Sequence, residues 1–542
     1  MYAKRLKLLP LLLAVLLLSA CGGGGGGGGD SAPAGGGTPT YTIGGAVSGL
    51  TGTGLVLQNN GGDNLAILAN APFTFATALP TGSSYGVTVL TQPSGQGCTV
   101  NNGSGAVGGA NVTNVSVACV TITSQGTDFY LTFPDSLCVS EPDLCGNPVT
   151  TNKLIVAAVT ATSGQVTFNG VTTPFSVSAG GQTVITLDPG VVLTANEAVE
   201  TKGIHVTALA PVSIHAISES QAAADGYLAL PVSSLGTQYF IMSRTHSNAA
   251  LTGSELAIVA TQNGTTVTIV PTAAGATKLA NVSFDVALDA GETYQLKNPA
   301  NGDMTGSAVT ATKPIAVFGG HRCVTVPSGV PFCDYLVEQI PDLTRLGKRF
   351  RTVPFSDRTR YSVRIVGTVN ATTITCNPAN AACDGTLNPG DIRDFVATES
   401  QEIISTQPLL VAQFMHGGSD GSLDPQKIGD PSMVMVTPEE QAVTEMTFAV
   451  HGLAGTAGAF INIVTPTAAL SSLTLDGVAV NSGLFSPIGA LGFSGGIIPA
   501  APGAHTLQGT APFTALVYDF GDPAQFVSYA YPAATGLSVI TP

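Results

Sequence analysis

A proline opening a short apolar run recurs four times along this chain, and no other feature constrains the fold as much. The instances are Pro211-Val-Ser-Ile-His215, Pro314-Ile-Ala-Val-Phe318, Pro408-Leu-Leu-Val-Ala412 and Pro512-Phe-Thr-Ala-Leu516, at offsets of 103, 94 and 104 residues. After each comes an aspartate (Asp225, Asp334, Asp430, Asp522), then a strand carrying a further proline (Pro231, Pro341, Pro438, Pro532). Before each lies a strand-turn-strand: 154–159 then 165–168, 256–260 then 265–269, 363–366 then 372–375, and 460–464 then 473–475. The Asn263-Gly264 turn in the second of these is hairpin chemistry. Self-similarity on this scale means copies of one supersecondary unit. The alternation has a period of two, and no amphipathic helix exceeds two turns, so the copies are β-rich. The expected fold is all-β: a small β-sandwich followed by four repeats of about 100 residues, set as a closed propeller-like ring or as tandem sandwiches. The first unit, beginning at Gly126, lacks a preceding aspartate-to-proline strand, and the fourth ends on a surplus one, Asp522 to Pro532. In a ring, that last strand would pair with the first.

The N-terminus reads as a targeting segment. Lys4, Arg5 and Lys7 precede an apolar run to Ala20, which is short for a permanent membrane span. Leu18-Ser19-Ala20-Cys21 resembles the lipobox of bacterial lipoproteins; that resemblance implies cleavage before Cys21 and a lipid on its sulfur. Gly22 in the next position suggests sorting to the outer membrane. The alternative is a simple signal peptide cut at a small residue. Residues 1–20 are thus expected to be a signal peptide and 21–40 a lipidated cysteine with a glycine-rich tether, since eight consecutive glycines cannot build a core. Residues 41–120, with short alternating runs between turn residues, are expected to form the small sandwich, and 121–542 the repeat domain.

The chain carries 19 basic and 34 acidic residues; without the three basic residues of the signal the charge falls from −15 to −18. Such a surface repels nucleic acid, which is not expected as a partner. Only 10 % of residues are charged, while glycine and proline number 66 and 34, a balance typical of secreted β proteins with many turns. Apart from Cys21, eight cysteines fall as near neighbours: Cys98 with Cys119, Cys138 with Cys145, Cys323 with Cys333, and Cys376 with Cys383. In an oxidising compartment these are expected as four local disulfides. Zinc is the rival, but no C-x-x-C occurs and no histidine sits at ligand spacing beside a pair.

Candidate chemistry is sparse. Two G-x-S-x-G strings, around Ser419 and Ser494, lack the strand-turn-helix that a nucleophile elbow needs. His321 and His416 lie seven and eight residues after their repeat prolines, and Asp519 lies seven after Pro512. With Arg322 they are the candidate ligand-binding residues, since a ring would bring these strand ends together in one shallow site. The alternative is that each bonds to its neighbouring turn. The repeat aspartates are expected to cap the turns that follow them, as Asp does before Gly or Pro; calcium ligation would need more oxygens, and only Asp420, Asp424 and Asp430 cluster. No cofactor, metal or catalytic residue is expected.

Asp225-Gly-Tyr-Leu-Ala-Leu-Pro231 through Phe240, Leu256 to Pro271, Lys313 to Cys323, Cys333-Asp-Tyr-Leu-Val-Glu-Gln-Ile-Pro341, Gly429 to Met433 and Ser528-Tyr-Ala-Tyr-Pro532 together resemble the IgGFc-binding protein N-terminal domain family, in order over about residues 126–532. The resemblance implies an extracellular binding or matrix-associated domain. The function expected is that of a cell-surface lipoprotein binding an extracellular protein or glycan. The alternatives are a self-associating envelope component and, less favoured, a glycan-active enzyme. The rigid loop between Cys323 and Cys333, with Pro327, Gly329 and Pro331, is the expected contact surface.

Overall fold

The computed structural model describes residues 38–93, 96–146, 148–245, 251–420, 429–453, 458–521 and 527–540. The signal segment, Cys21, the tether up to residue 37, Asp424 and Asp522 lie outside them.

The first element is a sandwich of two four-stranded sheets. One holds Pro72–Thr74, Ile43–Ser48, Val112–Thr121 and Gln96–Asn101 in that order; the other holds Asp63–Ile67, Leu55–Asn59, Ser84–Thr91 and Ser104–Ala106. Alternation turns Ile43, Leu57, Phe75 and Val117 into one core of its own. Cys98 and Cys119 stand directly opposite in the ladder and are joined by a disulfide.

Four units of one design follow. In the first, β1 (Gly126–Leu131), β3 (Thr162–Phe168) and β4 (Val171–Val177) form one sheet with the first half of a long strand, β6 (Ile204–Glu219). Strands β2 (Thr151–Ala158), β5 (Gly181–Thr186) and β7 (Ala224–Leu228) form a second sheet with its other half. Pro211 stands where β6 passes from one sheet to the other. A proline has no N–H for a ladder, so it is tolerated at this hand-over and marks it in the sequence. The second unit repeats the pattern around β8 (Ser254–Ala260), β9 (Thr293–Lys297), the long β10 (Ala308–Val324) and β11 (Asp334–Ile340). In the third, Pro408 splits the long strand into β13 (Gln401–Ser405) and β14 (Leu409–Met415), with β12 (Tyr361–Gly367) and β15 (Ser432–Met435) beside β14. The fourth ends on the long β16 (Gly503–Phe520) and β17 (Ser528–Ala534).

The units close into a ring. The inner strands β7, β11, β15 and β17 pack each on the next, and β17 packs back on β7. Each of four hydrophobic cores spans a boundary. Phe129 and Tyr227 of the first unit meet Phe318 and Val337 of the second. Leu256 and Val317 then meet Leu410 and Phe414, Val363 and Val411 meet Tyr518 and Phe520, and Ile461 and Val517 meet Ile155 and Ile217 of the first unit again. Closure differs from the sequence expectation in one respect. No strand is surplus, because each aspartate-to-proline strand completes the sheet of its own unit; β17 pairs with β16, not with β1. The seam is sealed instead by residues just outside the units. Ser124 N–H donates to Thr535 O and Leu537 N–H to Ile122 O, both at 2.8 Å.

Candidate functional site: the ring axis and its loop face

Asp225, Asp334 and Asp430 lie at the starts of the inner strands, and the ring carries them to its axis. Asp225 is fully buried and accepts from Val337 N at 3.1 Å, Ser432 Oγ at 2.9 Å, Met433 N at 3.5 Å and Ala530 N at 3.3 Å, so that each of the other three units donates to it. Asp334 Oδ1 accepts from Ala224 N at 2.9 Å and from Tyr335 N at 2.7 Å. These two therefore staple neighbouring units, and the turn-capping role expected from sequence is replaced by a tertiary one. The reason is that a ring places strand starts from all four units within reach of one carboxyl. Burial raises the carboxyls of Asp225, Asp334 and Asp430 above the usual range, and for Asp334 the other two acids add to the effect. Among the described residues, the one group with metal-ligand spacing is Cys376, Cys383 and Asp384, whose thiols are consumed in a disulfide.

The four sequence-selected residues are placed near the strand ends, and three of them are turned inward. His321, His416 and Asp519 are at most 1 % exposed. His321 Nδ1 accepts from Cys323 N at 3.0 Å, and Asp519 Oδ1 accepts from Phe520 N at 2.8 Å. Arg322 points the other way along β10 and reaches the first unit, donating to Ser140 Oγ at 2.9 Å and to Glu141 Oε1 at 3.0 Å. They are not brought to a common open surface.

His416 holds an arrangement that sequence reasoning missed. Its Nε2 meets Ser362 Oγ at 2.8 Å and its Nδ1 meets Asp420 Oδ2 at 2.7 Å. The connectivity is that of a hydrolase triad, but Ser362 is 1 % exposed on β12, whose residues are all buried, so no substrate carbonyl reaches it. Burial pushes the imidazole down to about 4. Ser419 is exposed in the otherwise buried turn after His416, and Ser494 is buried with its hydroxyl on Thr467 Oγ1 at 2.9 Å.

Among the described residues, an exposed feature at this end is a loop face. Cys138–Cys145 and Cys323–Cys333 each close a short loop, and Arg322 ties the first to the second. Gly417 N–H of the third unit donates to Val326 O at 2.9 Å, which joins that turn to the same surface. Leu144 and Phe332 are exposed on it by 64 % and 52 %. At the opposite end of the axis, Leu230, Glu338, Leu410, Met435 and Leu537 line a narrow apolar cavity. The Glu338 carboxyl there accepts from Met435 N at 3.1 Å and is raised by burial.

Comparison with known proteins gives one family. The model described as IgGFc binding protein matches residues 225–518, from the inner strand of the first unit to the long strand of the fourth. A human protein, "IgGFc-binding protein", is 26 % identical over 345 residues, which cover 61 % of this chain and 6 % of that relative. The chain thus spans a small part of the length of the relative it matches.

Proposed function

This chain belongs to the IgGFc-binding protein family, and from that premise we propose that it binds an extracellular protein through its loop face while a lipid on Cys21 holds it at the cell envelope. The observation that carries the reading is the pair of disulfide-closed loops from adjacent units, joined by Arg322 and presenting Leu144 and Phe332 to solvent. Loops held rigid on a β scaffold bind at low entropic cost, and exposed apolar side chains among polar ones suit a protein partner. Glycan is the second ligand class, and outer-membrane sorting is proposed from the residue after Cys21. Antibody Fc, named for the human relative, is the first ligand to try.

The test is a binding panel of Fc, extracellular matrix proteins and mucin-type glycans, against protein released from its lipid by replacing the first 21 residues with a cleavable secretion signal. The reading expects a saturable signal weakened at least tenfold by Phe332→Ser. Saturable binding that Phe332→Ser and Leu144→Ser leave intact would remove the loop face from the proposal. A folded protein that binds only itself would replace it with envelope assembly.

A further inference from the structure

The boundary between the first and second units buries a set of charges that binding does not use. Asp135, in the loop after β1, has no exposed surface, and its Oδ2 lies 2.6 Å from Lys297 Nζ at the end of β9. Its Oδ1 has no hydrogen-bond partner. Gln295, two residues earlier on β9, fixes the loop by accepting from Asp135 N at 2.8 Å. Directly across the ladder from Lys297 stands Glu255 of β8, fully buried, with both carboxyl oxygens unpartnered. Arg322 approaches Asp135 at 3.5 Å but is engaged by Glu141 and Ser140.

A buried ion pair is weak as a stabilising device, and an unbonded carboxyl beside it is a further cost. The arrangement makes sense as a reaction site. Amide formation needs an amine that has lost its proton, a neutral acid against it, and a second acid to carry the proton between them. Burial favours the neutral forms of the two acids.

We propose that Lys297 and Asp135 are joined by an intramolecular isopeptide bond, with Glu255 as the proton carrier. The Nζ lone pair attacks Asp135 Cγ, forming the N–C bond. One oxygen of the Glu255 carboxyl takes a proton from Nζ while the other gives its proton to the departing oxygen of Asp135. The Cγ–O bond then breaks and that oxygen leaves as water. An amine and an acid become an amide and one water, with no oxidant or reductant. Burial raises the carboxyls of both Asp135 and Glu255, which supplies the neutral acids that the step requires. Arg322 is not stranded by the product, since the amide oxygen remains an acceptor. The bond locks the first unit's loop to the second unit's sheet, beside the Cys138–Cys145 disulfide.

The full chain, purified, reduced, alkylated and digested with trypsin and chymotrypsin, tests this by mass spectrometry. The expected species is a peptide containing Asp135 joined to one containing Lys297, uncut after that lysine and about 18 Da lighter than the two separate peptides. Lys297→Arg gives the separate peptides, and Glu255→Gln lowers the linked fraction at least tenfold. Free Asp135 and Lys297 peptides in the unsubstituted protein would overturn the bond, a result that needs no variant to fold. A complete link in Glu255→Gln would overturn the role of Glu255.

Discussion

His215 of β6 sits where the first unit meets the fourth, fully buried, with its Nε2 at 3.0 Å from Ala533 O and its ring 4.5 Å from that of Tyr531. A carbonyl can only accept, and Nδ1 has no partner, so the ring is neutral with its proton on Nε2. Burial pushes its pKa down to about 4 from 6.5. An unfolded chain therefore takes up the proton first as pH falls, so this contribution to stability is complete above 6.5 and is lost towards 4. Between pH 7 and pH 4.5 the loss from this one group is about 2 kcal/mol. His215→Gln keeps an N–H for Ala533 O and removes the titration. Urea unfolding, followed by tyrosine fluorescence because the chain has no tryptophan, is measured for both proteins at both pH values. The substituted protein is expected to lose about 2 kcal/mol less than the parent on acidification. His416 and the axial aspartates also respond to pH, but they are common to both proteins and cancel in the difference. Equal losses in the two proteins would refute the reasoning.

Three further outcomes follow from single contacts. Asp225→Ala strands buried donors from three units and is expected to cost about 4 kcal/mol, read from the urea midpoint. Arg351→Ala leaves Glu402, its partner at 2.8 Å with both side chains 2 % exposed, as an uncompensated buried charge; a loss of about 3–5 kcal/mol is expected in the same assay. Gly320→Ala would drive a Cβ to 1.9 Å from Leu336 O across the β10–β11 ladder, so the yield of folded protein in gel filtration should collapse.

Much of the scaffold was legible because its signals are local. Alternation specified strands, near-neighbour cysteines specified four disulfides with their pairing, and the recurring prolines specified the units. The proline was visible without its meaning: that it marks a hand-over between sheets depends on two partners, such as β3 and β2 against β6, which only the folded chain assembles. The candidate residues were located at the right strand ends but their orientation was not, since an odd or even step along a strand decides whether a side chain faces core or surface. Ser362 carried no signal, being one apolar-flanked serine among many until β14 brought His416 beside it.

By itself, then, the sequence determined the class, the repeat and the covalent braces, because each depends on residues within one strand, turn or loop. Tertiary structure decided the ring over the string, the axial meeting of Asp225 with donors from three other units, and the approach of Lys297 to Asp135. Those meetings join positions up to 305 residues apart. Their geometry is set by how one sandwich packs on the next, which no local pattern encodes.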